Sequence, residues 1–163
     1  MNRVCRIVVI AFVMAGSGVP AFACGPAPAQ HYAKTEKRVR ERFDSVDSVV
    51  LLTLLDVRRV SKVHMEIELW GERSTFRIDR VFKGPERPGA QLILTTFSTC
   101  ATYLVENWDG PKGPIISSRQ WLLYRNRSET QMPPHDMAQP IDLAAFDLTV
   151  LPGLVRVQGD KPR

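Results

Sequence analysis

Three cysteines, at positions 5, 24 and 100, are the residues of this 163-residue chain whose type and spacing suggest chemistry first. Cys24 directly follows Ala21-Phe22-Ala23. Before that tripeptide come Arg3 and Arg6, an apolar run from Ile7 to Ala15, and helix-interrupting Gly16, Gly18 and Pro20. This is the layout of a secretory signal peptide cut after Ala23, and the run is far short of the ~20 apolar residues that cross a bilayer. Cleavage would discard Cys5 and make Cys24 the first residue of the mature chain. Cys24 and Cys100 would then be an even pair in an oxidising compartment, which reads as one intramolecular disulfide, worth about 2–4 kcal/mol. A second reading makes Cys24 the lipid attachment site of an envelope lipoprotein. Phe22 is bulky for that signal and Ala21 stands where leucine is usual. A lipidated Cys24 would also leave Cys100 as an odd thiol.

The remaining chemistry-bearing residues do not assemble a catalytic pattern. His31, His64 and His135 lie in unrelated settings, with no metal-binding HExxH spacing, and Asp136 beside His135 falls in a proline-rich stretch. There is no nucleophile elbow, phosphate-cradling glycine loop or dinucleotide fingerprint. The expectation is a protein that is not an enzyme, with no catalytic residues and no cofactor. Asn126-Arg127-Ser128 fits a glycosylation sequon, which matters only in a eukaryotic secretory pathway. The formal charge of +5 falls to +3 once Arg3 and Arg6 leave with the signal. That bias is too weak and dispersed for nucleic-acid binding, which wants a concentrated basic face with stacking aromatics.

The elements that must position the two cysteines follow from hydrophobic periodicity. Residues 1–23 are the signal, 24–151 form one domain, and 152–163 are a disordered tail. Pro26 and Pro28 keep the mature start extended. His31 to Asp44 reads as an amphipathic helix with Val39 and Phe43 on its apolar face. Val49 to Leu55, almost unbroken in apolar residues, is the central strand, covered on both sides. Val63, Met65, Ile67 and Leu69 alternate with polar residues, the period of a half-buried strand. Phe76 and Ile78 alternate too, but the phase slips at Val81 and Phe82, so a bulge is expected near Arg80. Lys83 to Gly89 turns the chain, Leu92 to Phe97 and Trp121 to Tyr124 are further strands, Asn107 to Pro114 is a loop, and Ile141 to Leu151 is a short covering helix. Five or six short strands with one early helix make a mainly β fold, a small closed or nearly closed barrel.

With the strands placed, the chain resembles the netrin-like domains, and among them the N-terminal inhibitory domain of the tissue inhibitors of metalloproteinases. The likeness rests on Cys24 followed by Pro26, the helix, "DSVVLLTLLDV" at 47–57, "FRIDRVFKG" at 76–84, "LILTTFSTC" at 92–100 and "WLLY" at 121–124. It implies a five-stranded oligonucleotide/oligosaccharide-binding (OB-fold, Greek-key) barrel and a disulfide from Cys24 to Cys100. It further implies that the α-amine and carbonyl oxygen of Cys24 approach the zinc of a partner metalloprotease, with Cys24, Gly25 and Pro26 at the contact. A catalytic zinc keeps an open position, and an α-amine with a pKa near 8 can lose its proton to fill it. The chain departs from the family in having Pro26 where a second cysteine is usual, Gly25 with no side chain for the specificity pocket, and Ala101 where glycine is usual. The expected partner is therefore a zinc metalloprotease or another extracytoplasmic protein, for a secreted or periplasmic module with no transmembrane segment. The alternative is lipid anchoring through Cys24.

Overall fold

The computed structural model describes residues 35–97 and 103–159. The element order is α1 (Glu36–Ser45), β1 (Ser48–His64), β2 (Ile67–Lys83), β3 (Gln91–Thr96), β4 (Val105–Asn107), β5 (Ile115–Ile116), β6 (Gln120–Arg125), β7 (Ala138–Pro140) and α2 (Ala145–Gly159). The described chain is thus mainly β with two helices. Five strands make one antiparallel sheet in the order β3-β2-β1-β6-β7, and β4-β5 form a separate pair.

Thr35 caps α1 from extended backbone, its side chain accepting from the Arg38 N–H. Glu36–Arg40 and Lys37–Glu41 pair one turn apart on its exposed side. Val39 and Phe43 are buried on the other side, as their spacing requires. The first half of β1 is the middle of the sheet and is covered on both faces. Val49 packs with Val39, Phe43, Leu122, Tyr124, Leu151 and Leu154 under the two helices. Its neighbours Val50, Leu52 and Leu54 point the opposite way, into a second cluster with Phe76, Ile78, Leu94, Leu104, Trp121 and Leu123.

Bulges let the long strands coil around that second cluster. Asp79 and Phe82 on β2, and Leu55 on β1, fall between paired residues of the ladder. The first two flank Arg80, where the phase slip in the sequence had placed a bulge, and each re-aims the residues beyond it. The chain between β6 and β7 approaches the outer edge of β3. The Thr95 N–H donates to the Thr130 carbonyl at 2.8 Å, and the Met132 N–H donates to the Thr96 hydroxyl at 3.1 Å.

Two expectations are corrected. The alternation from Val63 to Leu69 is not one half-buried strand. It is the tip of the β1–β2 hairpin, reversing at Met65 and Glu66 with φ of 48° and 65°. Alternation alone cannot separate a strand from two strands folded on themselves when the turn carries no glycine or asparagine. Here Val63, Met65 and Ile67 are 75%, 82% and 63% exposed. Nor does the ordered chain end at 151. α2 continues through Pro152 to Gly159, because Leu151 and Leu154, three residues apart on one face, are both buried against α1 and the sheet. No described helix is long and apolar enough to cross a membrane.

Candidate functional site

The residues singled out by sequence, Cys24, Gly25, Pro26 and Cys100, lie outside the described residues, as do Ala101 and His31. The chain on either side of Cys100 is described, and a buried carboxylate governs it. Glu72 lies midway along β2 and is 2% exposed. The Leu104 N–H donates to its Oε2 at 2.8 Å and the Val105 N–H to its Oε1 at 3.1 Å. One side chain therefore satisfies two consecutive backbone donors where the chain enters the separate β4–β5 pair. Burial pushes the Glu72 carboxyl up, opposed by these two bonds. Burial and the Glu72 charge also push the Tyr103 hydroxyl up.

On the other flank, backbone crowding holds the chain. A Cβ on Gly71 would stand 2.1 Å from the Thr96 carbonyl oxygen and 2.7 Å from Phe97 Cδ1. Only glycine lets β2 pass this close to the end of β3. Glu72 and Gly71 together set where the chain leaves β3 and where it returns before β4.

A second buried polar cluster joins the helices to the sheet. Arg42 of α1 donates to Asp147 Oδ2 of α2 at 2.6 Å, and the Tyr124 hydroxyl of β6 donates to the same oxygen at 2.7 Å. Arg42 also donates to the Asp136 carbonyl and lies 4.9 Å from the Tyr124 ring centroid. Burial pushes the Asp147 carboxyl up against the bonds that hold its charge. Burial, reinforced by the Asp147 charge, keeps the Tyr124 hydroxyl protonated as a donor. The cluster is enclosed by α1, α2 and β6, and its geometry is that of a clasp between elements.

The third feature is the outward face of β1, β2 and β3. Pairing sets Asp56 opposite Thr75, Arg58 opposite Arg73, Val60 opposite Gly71 and Lys62 opposite Leu69, with Ile93 of β3 beside Thr75. A groove of about 480 Å³ runs across this face, lined by Asp56, Arg58, Val60, Arg73, Thr75 and Ile93 and reached also by Arg59. Arg58 Nε donates to Asp56 Oδ2 at 2.7 Å, and Arg77 pairs with Asp79 at 2.8 Å. Lys62 lies over the Phe97 ring, and on the opposite face of the hairpin Arg59 lies over Trp70. The Arg73 side chain has neither a hydrogen-bond nor an ion-pair partner among the described residues.

His64 is exposed at the hairpin and His135 is half-buried in the loop before β7, where burial lowers its pKa against the pull of Asp136. The structure brings neither histidine together with the other, and among the described residues no three His, Cys, Asp or Glu side chains cluster closely enough to hold a metal ion. Sequence reasoning missed Glu72, Arg58 and Arg73. The available signal was symmetry: Arg58 and Arg73 are equidistant from Met65-Glu66, so identifying the turn would have placed them opposite each other. No family model matches the chain, and no curated protein matches it.

Proposed function

We propose that the chain is an exported, non-catalytic binding module of the netrin-like, OB-barrel type, which presents a processed amino end tied to the sheet by a Cys24–Cys100 disulfide. On this reading the partner is a zinc metalloprotease, the α-amine and carbonyl of Cys24 supplying ligands to the partner's open zinc position. The observation that supports it is the grip of Glu72 on Leu104 and Val105. That grip anchors the chain a few residues beyond Cys100 on the rigid sheet. A strap from Cys24 to so held a position would lose little further freedom on binding, which is how preorganisation strengthens association. The two helices and the five-stranded antiparallel sheet are compatible with the barrel, and the Thr95–Thr130 contact at the open edge favours it.

The test begins with intact-mass measurement of the mature protein, with and without reductant. The reading requires an amino terminus at Cys24 and a mass lower by two hydrogens in the oxidised form. A lipid increment on Cys24, or two thiols titratable in denatured, unreduced material, overturns it. Titration against zinc endopeptidases then separates chelation from simple binding. Inhibition should vanish when the α-amine is acetylated, and absence of inhibition at micromolar protein removes the protease as partner.

A further inference from the structure

We propose that the groove between Arg58 and Arg73 is a binding site for a phosphate group, independent of the Cys24 strap. The register places the two guanidinium-bearing residues directly opposite each other on neighbouring antiparallel strands. At that position β-carbons lie about 5 Å apart, and like charges set there repel. A protein that keeps such a pair without a shared acidic partner leaves a positive focus that an anion relieves.

The surroundings define which anion. Arg77, the next cation along the face, is neutralised by Asp79, which also accepts from Thr53. Arg58 uses only its Nε on Asp56, so its terminal nitrogens remain for a ligand. Among the described residues, nothing engages the Arg73 fork. Two planar guanidinium forks converging on one groove match the bidentate geometry of phosphate oxygens better than any single-point contact. The Thr75 hydroxyl lines the same groove and adds a donor, while Val60 and Ile93 form apolar walls that lower the local dielectric. Asp56 is then an internal competitor for Arg58, occupying one edge of the fork until a more highly charged ligand arrives.

The site makes distinct predictions. Inorganic phosphate titrated into the protein should shift the Arg58 and Arg73 side-chain resonances saturably. Binding should strengthen as pH rises through the second ionisation of inorganic phosphate, near neutrality, where the ligand becomes a dianion and its attraction to the two guanidinium groups grows. Sulfate, already a dianion, should show no such rise. Arg73→Gln, on the exposed face, should weaken binding about tenfold or more. Asp56→Asn should tighten it severalfold by releasing Arg58, an effect that no merely structural role for Asp56 produces. Circular dichroism should match the parent for both variants, so that a change in binding is not a loss of fold. Vesicles of phosphatidic acid, compared with phosphatidylcholine, identify the source of the phosphate: retention assigns a lipid headgroup, and no retention alongside intact phosphate titration assigns a soluble phosphate compound. Phosphate binding unchanged in Arg73→Gln, or non-saturable shifts equal in both variants and the parent, an adventitious ion only, overturns the proposal.

Discussion

Arg42 shows how much one side chain can hold in this protein. Its guanidinium neutralises Asp147, which is 1% exposed, and caps the Tyr124 ring. Arg42→Ala would leave a buried carboxylate without its cation, a loss of about 3–5 kcal/mol measurable by urea unfolding. Arg42→Lys should recover only part, since a lysine cannot hold both Asp147 and the Asp136 carbonyl while stacking on Tyr124. Glu72 has a different signature, in pH. Because burial raises its carboxyl, the folded protein keeps a proton that the unfolded chain has released. The stability this confers is full below the unfolded glutamate pKa of about 4.3 and is lost as pH rises through the higher folded value. Glu72→Gln should therefore flatten the decline in unfolding free energy over that window. The decline due to Asp147, raised in the same sense, should persist. Parallel curves for parent and variant would refute this role. None of these contacts could be read from sequence, because Glu72 sits in a charged stretch, "WGERS", that looks like solvated strand, and its partners lie more than thirty residues away.

At the scale of elements, the residues whose environment is set locally were legible and those set by distant packing were not. Val39 and Phe43 declared one face of α1, and the apolar run after Ser48 declared a strand covered twice, because each pattern lies within a few residues. The hairpin turn was hidden by its chemistry. Met65 and Glu66 both take positive φ, a conformation that asparagine and glycine adopt with less strain. Replacing them by Asn-Gly should remove about 1 kcal/mol or more of strain, seen as slower amide exchange in the pairs next to the turn. α2 was cut short for the opposite reason. Pro152 and Gly153 are strong stop signals, yet burial of Leu151 and Leu154 outweighs them. Gly153 is exposed with no atom within 4 Å of where a Cβ would stand, so Gly153→Ala should stabilise the protein by about 0.5–1 kcal/mol in thermal unfolding.

Across the whole molecule, stability and display are divided along the length of β1 and β2. Their proximal halves carry Val49 to Leu54 and Phe76 to Phe82 into the two cores, whereas no residue from 58 to 73 belongs to either. Ser61 and Trp70 already face each other across the hairpin. Substituting Asn-Gly for residues 62–69 should join them in register and change the unfolding free energy by no more than about 1 kcal/mol. The same variant should still bind phosphate, since Arg58 and Arg73 are retained. Unfolding cooperativity that collapses in this variant would show that the arm is part of the folding unit. Because the arm beyond Ser61 and Trp70 extends past both hydrophobic clusters of the described residues, its sequence can drift, lengthen or be exchanged under selection for what it touches. Folding and recognition then answer to separate residues, and this scaffold can change its contacts without renegotiating its survival.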